Sequence, residues 1–200
     1  QMGLGLHNFH DTYGRLPPGA SNLIAPFGTR GDRKWGASWM CYILPYIEQN
    51  NLYESADVLG LWHNHPDVVA AFGGVPIETY ECPSASLDDE FAAGGTKSMI
   101  ADYVAIAGVA NGSFGISGTT EIATTQYGIA GRNGVMSYNS QINFAEITDG
   151  TSNTMMVGET GAWTYTNSTD FPRVDWRPSG ALGFNWGCMG TKNTNSQDFT

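Results

Sequence analysis

Met2-Gly3-Leu4-Gly5-Leu6-His7-Asn8-Phe9-His10-Asp11-Thr12-Tyr13-Gly14, followed by Pro17-Pro18-Gly19, is the stretch whose reading decides the fold. Met2, Leu6, Phe9 and Tyr13 recur at helical spacing and fall within roughly 60° of one another around the axis. Gly14 and the two prolines stop the pattern. Such a stripe needs an apolar surface to cover, and the sheet of a head domain is the expected one, with Leu4 and His7 facing away. The pattern is already under way at Gln1 without an N-cap, so a longer helix with its first part upstream is expected.

Working outward, Ser38 is a plausible N-cap for a second helix running through Trp39, Ile43 and Ile47 to about Tyr53. Pro45 inside it implies a kink or two short helices. Pro66 to Phe72 reads as a further short helix, followed by Gly73-Gly74. The period then changes. Val75, Ile77, Thr79 and Glu81 alternate with Pro76, Glu78, Tyr80 and Cys82, which predicts a strand. Met99 to Gly108 is a second strand, residues 109–134 hold an irregular hairpin, and Asp149-Gly150 is a turn before a strand over Thr154 to Val157 that ends near Glu159. Residues 160–200 read as long loops with short strands. Helices first and strands after them predict an α+β fold, a single domain over residues 1–200 with helices segregated from an antiparallel sheet and long loop insertions.

Composition narrows the function. Nineteen acidic residues against nine basic ones give a net charge of −10. That excludes a phosphate-binding face for nucleic acid and docking on an anionic membrane surface. Twenty-six glycines and sparse charge, 14%, match loop-rich secreted β proteins rather than helical cytosolic enzymes. Cys41, Cys82 and Cys188 are too widely spaced for a zinc or redox motif and allow one disulfide with one odd thiol.

Several groups have residue types suited to chemistry. His7 and His10 sit at i and i+3 and can converge on a metal, but a packed histidine at a helix end is the favoured reading. His63-Asn64-His65 diverges in an extended chain, and an HExxH helix is lacking. Asp149, Thr151 and Asn153 have the one-three-five spacing of a calcium loop. Thr154 stands where glycine is required, and Glu159 is at the eleventh position rather than the twelfth. A turn is therefore favoured, with the Asp149 carboxylate accepting backbone N–H groups, Gly150 at positive φ and Asn153 closing it. Asp88-Asp89-Glu90 is an acidic cluster that reads as a solvated loop. Ser84 and Ser152 lack a nucleophile elbow, so no catalytic residue is assigned. Six tryptophans and nine tyrosines are the strongest sign of a binding surface. Trp39 and Tyr46 belong by default to the core, whereas Trp62, Trp163 and Trp176 in polar stretches are the candidates for a saccharide or solute surface. Asn111-Gly112-Ser113 and Asn167-Ser168-Thr169 match glycosylation sequons.

Segments spread from residue 5 to residue 159 resemble one family. They are Gly5-Leu6-His7-Asn8-Phe9-His10-Asp11-Thr12-Tyr13-Gly14-Arg15-Leu16-Pro17-Pro18-Gly19, Ser38-Trp39, Leu44-Pro45-Tyr46-Ile47-Glu48-Gln49 and Leu52-Tyr53. Further on are Tyr80-Glu81-Cys82-Pro83-Ser84, Asp102-Tyr103-Val104, Ala107-Gly108, Ile147-Thr148-Asp149-Gly150-Thr151-Ser152-Asn153-Thr154 and Val157-Gly158-Glu159. Together they resemble the DUF1559 family of planctomycete bacteria, also labelled a bacterial solute-binding family, whose members carry prepilin-type N-termini. The resemblance implies a pilin or pseudopilin architecture, in which a long N-terminal helix anchors the precursor in the membrane and later packs in a filament. It implies an extracytoplasmic, non-enzymatic subunit that self-associates, with a saccharide- or solute-binding module as the alternative and calcium as the one conceivable ion. The prepilin segment and the family's usual C-terminal histidine-to-Asp-Gly motif are absent from this sequence. The family's frequent cysteine upstream is the implied partner of Cys82.

Overall fold

The computed structural model describes residues 1–22, 25–28, 36–57, 59–61, 65–85, 90–93, 96–108, 121–124, 128–131, 133–160, 163–165, 173–175, 188–189 and 191–192, with the backbone alone for the strands within 90–98, 121–131 and 163–192. The fold is α+β. Helix α1 spans Met2–Tyr13 and ends where Gly14 adopts φ 68° and donates its N–H to the His10 carbonyl at 2.7 Å. Glycine fits there because a Cβ at positive φ is strained.

Pro45 divides the second helical region. Helix α2, Trp39–Ile43, passes into a 3-10 turn over Leu44–Tyr46, and helix α3, Asn50–Glu54, follows. Proline has no N–H to give a longer α-helix but is tolerated in the first turn of a new one. Ser38 occupies the N-cap position of α2, yet its hydroxyl makes no capping bond. Helix α4, Pro66–Phe72, starts on Pro66, with His65 Nδ1 accepting the Asp67 N–H at 3.3 Å.

The expected strand over Val75 to Cys82 does not form. A 3-10 turn, Glu78–Tyr80, takes its place. Ile77 and Tyr80 are both fully buried, and a period-two strand would put residues three apart on opposite faces. The Tyr80 hydroxyl donates to the Met40 carbonyl at 2.7 Å, and its ring meets Trp39 edge-on at 5.9 Å.

Among the described residues, ten short strands follow: β1 Glu90–Ala93, β2 Thr96–Met99, β3 Tyr103–Ile106, β4 Glu121–Thr124, β5 Gly128–Gly131, β6 Val157–Glu159, β7 Trp163–Tyr165, β8 Arg173–Asp175, β9 Cys188–Met189 and β10 Thr191–Lys192. They form two hairpin-like pairs, β1-β2 and β7-β8, and two three-stranded sheets, β10-β5-β4 and β6-β3-β9. The β6 pairing with β3 is antiparallel and that of β9 is parallel, so this last sheet is mixed. β4 and β5 are the hairpin expected within 109–134.

Leu6 and Phe9 of α1 are buried, whereas Leu4 and His7 are exposed. Instead of the expected sheet, α2 and the 3-10 turn after it cover this side of α1, and Tyr13, the last residue of the expected stripe, is 51% exposed. Gly5 permits this approach, since a Cβ there would lie 3.0 Å from Ile47 Cγ2. At the start of α1, Met2, Gly3 and Leu6 share a groove with β3 and β6. The core lies among α1, α2, α4 and the start of β3, with Trp39, Phe72, Leu16, Ile43, Leu44 and Met99 sealed inside. Residues 16–21 thread between 36–39 and 137–142 by backbone bonds, among them Trp39 N–H to Gly19 O and Asn139 N–H to Ala20 O.

The turn over Asp149 differs from the sequence expectation in one respect. Gly150 has φ 87°, and the Asn153 side chain closes the loop, its Nδ2 donating to the Asp149 carbonyl at 3.0 Å. The Asp149 carboxylate is exposed and bonds no described group, because the amide of Asn153, rather than the acid, spans the turn. Asp149→Ala should therefore change stability by less than about 0.5 kcal/mol. Asn153→Ala should cost about 0.5–1.5 kcal/mol for one lost bond. Paired urea melts check this ordering, and a larger loss for Asp149→Ala would reverse it.

Candidate functional site

The antiparallel register sets Tyr103 opposite Glu159 and Ala105 opposite Val157. Side chains alternate along strands, so Tyr103, Val157 and Glu159 share one face, and α1 begins above it. Between them is an open groove of about 370 Å³ lined by Met2, Gly3, Leu6, Tyr103, Met156, Val157 and Glu159. Its walls are apolar except for Glu159 and the Tyr103 hydroxyl.

Two polar anchors hold the groove in shape. Thr79 Oγ1 donates to Gln1 Oε1 at 2.9 Å, which pins the start of α1. Asp102, fully buried at the head of β3, accepts the Cys82 N–H at 2.7 Å, while its carbonyl accepts the Thr160 N–H at 2.7 Å. Burial first, then Cys82 and the acidic neighbours Glu159 and Asp102, raises the Tyr103 phenol above its ordinary range. The phenol is neutral at physiological pH.

Next in the chain to the groove residues Gly3 and Met156, Leu4 is 64% exposed and Met155 is 76% exposed. Nothing lies within 4 Å of where a Gly3 Cβ would be, so this part of the helix surface is bare. Leu6 and Phe9 on the inner side of α1 are buried, Tyr13 at its end is 51% exposed, and the outer side is open at Leu4.

The histidines at i and i+3 are brought together by packing. His7 and His10 flank the Phe144 ring at centroid distances of 4.8 and 4.2 Å. His10 Nε2 accepts the Phe144 N–H at 3.3 Å, so His10 caps the 3-10 turn Phe144–Glu146, whose own capping box uses Asn143 and Glu146. This is the packed role at a helix end. Among the described residues no group of three or more His, Cys, Asp or Glu side chains could hold a metal ion.

Asp149, Thr151 and Asn153 lie exposed on one turn, away from the groove lining. Trp62, His63, Trp176, Asp88 and Asp89 lie outside the described residues. Trp163 begins β7, but only its backbone is described. Cys41 is buried in the core, where burial pushes its thiol far up and keeps it unreactive. Cys82 is half-buried and free, with its sulfur 3.2 Å from Ser84 Oγ. The sequence pointed to Leu4. It did not point to Tyr103, Met156 or Glu159, whose meeting depends on the β3–β6 register.

No helix among the described residues is long and apolar enough to cross a membrane. No curated protein and no solved structure matches the chain. A family model matches residues 1–198, nearly the whole length, and by that match the chain belongs to the family described as "Protein of unknown function (DUF1559)".

Proposed function

We propose that this chain is a non-enzymatic subunit, or the head domain of one, in an extracytoplasmic pilin-like assembly, and that it self-associates through the outer face of α1 and the adjoining groove. The supporting observation is the division of α1 into two apolar surfaces. One, with Leu6 and Phe9, is buried against α2, and the other, Leu4 beside bare Gly3, faces outward. An exposed large apolar side chain on a helix gains from being covered by a partner. The pilin-like part of the reading draws on the family resemblance. With a net charge of −10, copies repel one another at low ionic strength, so association should strengthen as salt screens that repulsion.

Leu4→Asp tests the reading. The side chain is mostly exposed, so the change should alter domain stability by no more than about 0.5 kcal/mol. Surface-assembly yield of the full-length protein in its native host should fall severely. Normal assembly with Leu4→Asp would remove the role assigned to this face.

A further inference from the structure

Tyr103 and Glu159 give the apolar groove a polar end. They stand directly opposite each other in the β3–β6 register, so their side chains are nearest neighbours on one face. Glu159 is exposed, and among the described residues no Lys or Arg side chain pairs with it. No basic side chain lines the groove. The local field is negative: after burial and Cys82, both Glu159 and Asp102 push the ionisation of the Tyr103 phenol upward. The rest of the wall is Met2, Leu6, Met156 and Val157. A carboxylate beside an apolar trough is complementary to a cation on an apolar stem, and it repels an anion. The phenol can add its ring face, which attracts an ammonium, and its oxygen, which accepts a hydrogen bond from one. At about 370 Å³ the groove is at the small end of ligand sites, so it suits a compound of few heavy atoms.

We infer that the groove binds a small primary ammonium compound, with the ammonium at Glu159 and the Tyr103 hydroxyl and the apolar stem along Met2, Leu6 and Met156. The inference goes beyond the self-association reading and does not depend on it, because one copy supplies every contact. Gly3 offers a way to close the groove without disturbing the fold. It lines the groove, yet nothing lies within 4 Å of where its Cβ would be. A leucine there takes up groove space and displaces no neighbour at its Cβ.

The test titrates the whole chain, dilute and at low salt, with phenethylamine, and follows the backbone amide and methionine methyl resonances by NMR. Phenethyl alcohol and hydrocinnamate serve as the neutral and anionic comparisons. The amine should shift Met2, Tyr103, Met156 and Glu159 together, with a Kd on the order of 1 mM. The alcohol and Glu159→Gln should each weaken binding about three- to fivefold, the share of one solvent-screened ion pair, and hydrocinnamate should bind weakest. Gly3→Leu should abolish the shifts while melting like the wild type, which keeps the test decisive where Glu159→Gln is less stable. Equal affinity for the three probes, shifts away from the groove, or unchanged binding in Gly3→Leu overturns the site. Salt separates this inference from self-association, since added salt should weaken amine binding and strengthen association. A chain that binds the amine yet stays monomeric at high salt upholds the site and overturns the self-association reading. An oligomer that ignores the amine does the reverse.

Discussion

Phe9→Ala is expected to lower the free energy of unfolding by about 3–5 kcal/mol, a large share of what a domain of this kind has. Phe9 is 5% exposed and is the aromatic centre of the α1 contact. Its ring lies 4.5 Å from Tyr13, 6.0 Å from Tyr42 at 74° and 6.2 Å from Tyr46 at 81°. Edge-to-face pairs of this kind add about 0.5–1.5 kcal/mol each beyond area burial. The cavity left by alanine cannot collapse easily, because Tyr42 is tethered. Its hydroxyl donates to the Phe27 carbonyl at 2.8 Å and lies 2.9 Å from Ser21 Oγ. A tethered wall places the loss towards the upper end of the range. Guanidinium melts would measure it, and a loss below about 1 kcal/mol would mean that the stripe is not core.

Gly134→Ala is expected to be as damaging by the opposite route. A Cβ at Gly134 would come within 2.5 Å of the Gly108 nitrogen and the Ile106 oxygen, and would also meet the Ala107 carbonyl carbon. All three are backbone atoms at and just past the end of β3, so no side chain can turn aside. The Gly134 N–H donates to the Ala107 carbonyl at 2.9 Å, and Met136 N–H to the Ile106 carbonyl at 3.4 Å. Separating the two segments breaks those bonds as well as the contact. Overpacking alone costs about 1–3 kcal/mol, and the lost bonds add to it. The mutant should express poorly or melt far below the wild type, whereas Gly3→Ala, where nothing lies within 4 Å, should be neutral or slightly stabilising. Similar melting of both alanine mutants would refute this close approach.

The contrast between these positions bears on what the sequence could reveal. The α1 stripe was legible because its information is local: the spacing of Leu6 and Phe9 names the buried face, and Gly14 names the stop. Pro45 and Pro66 were legible for the same reason, since a missing N–H has the same consequence in any context. The segment over Val75 to Cys82 misled because alternation in sequence is indifferent to what lies above. Tyr80 reaches across to the Met40 carbonyl, and burying Ile77 beside it selects a 3-10 turn. Asp149 misled more subtly, because acid and amide compete for the same turn and Asn153 holds it. The histidine pair could be read as metal ligands until Phe144, 134 residues further along the chain from His10, filled the space between them. The groove had no local signature. It exists because Tyr103 pairs with Glu159 and the first turn of α1 crosses above them.

Position-specific cross-linking tests the central claim most directly. Leu4→Cys and, as a control on the exposed side of α4 outside the groove lining, Asp67→Cys would each be made in a Cys82→Ser background. The free chain would then be oxidised with a diamide-type reagent at high salt and high concentration. If the outer face of α1 joins one copy to another, position 4 should give a disulfide-linked dimer whose yield rises with protein concentration, while position 67 gives little. Equal yields from the two positions, or no dimer from position 4 under conditions where the wild type sediments as an oligomer, would contradict the claim that this face carries the assembly.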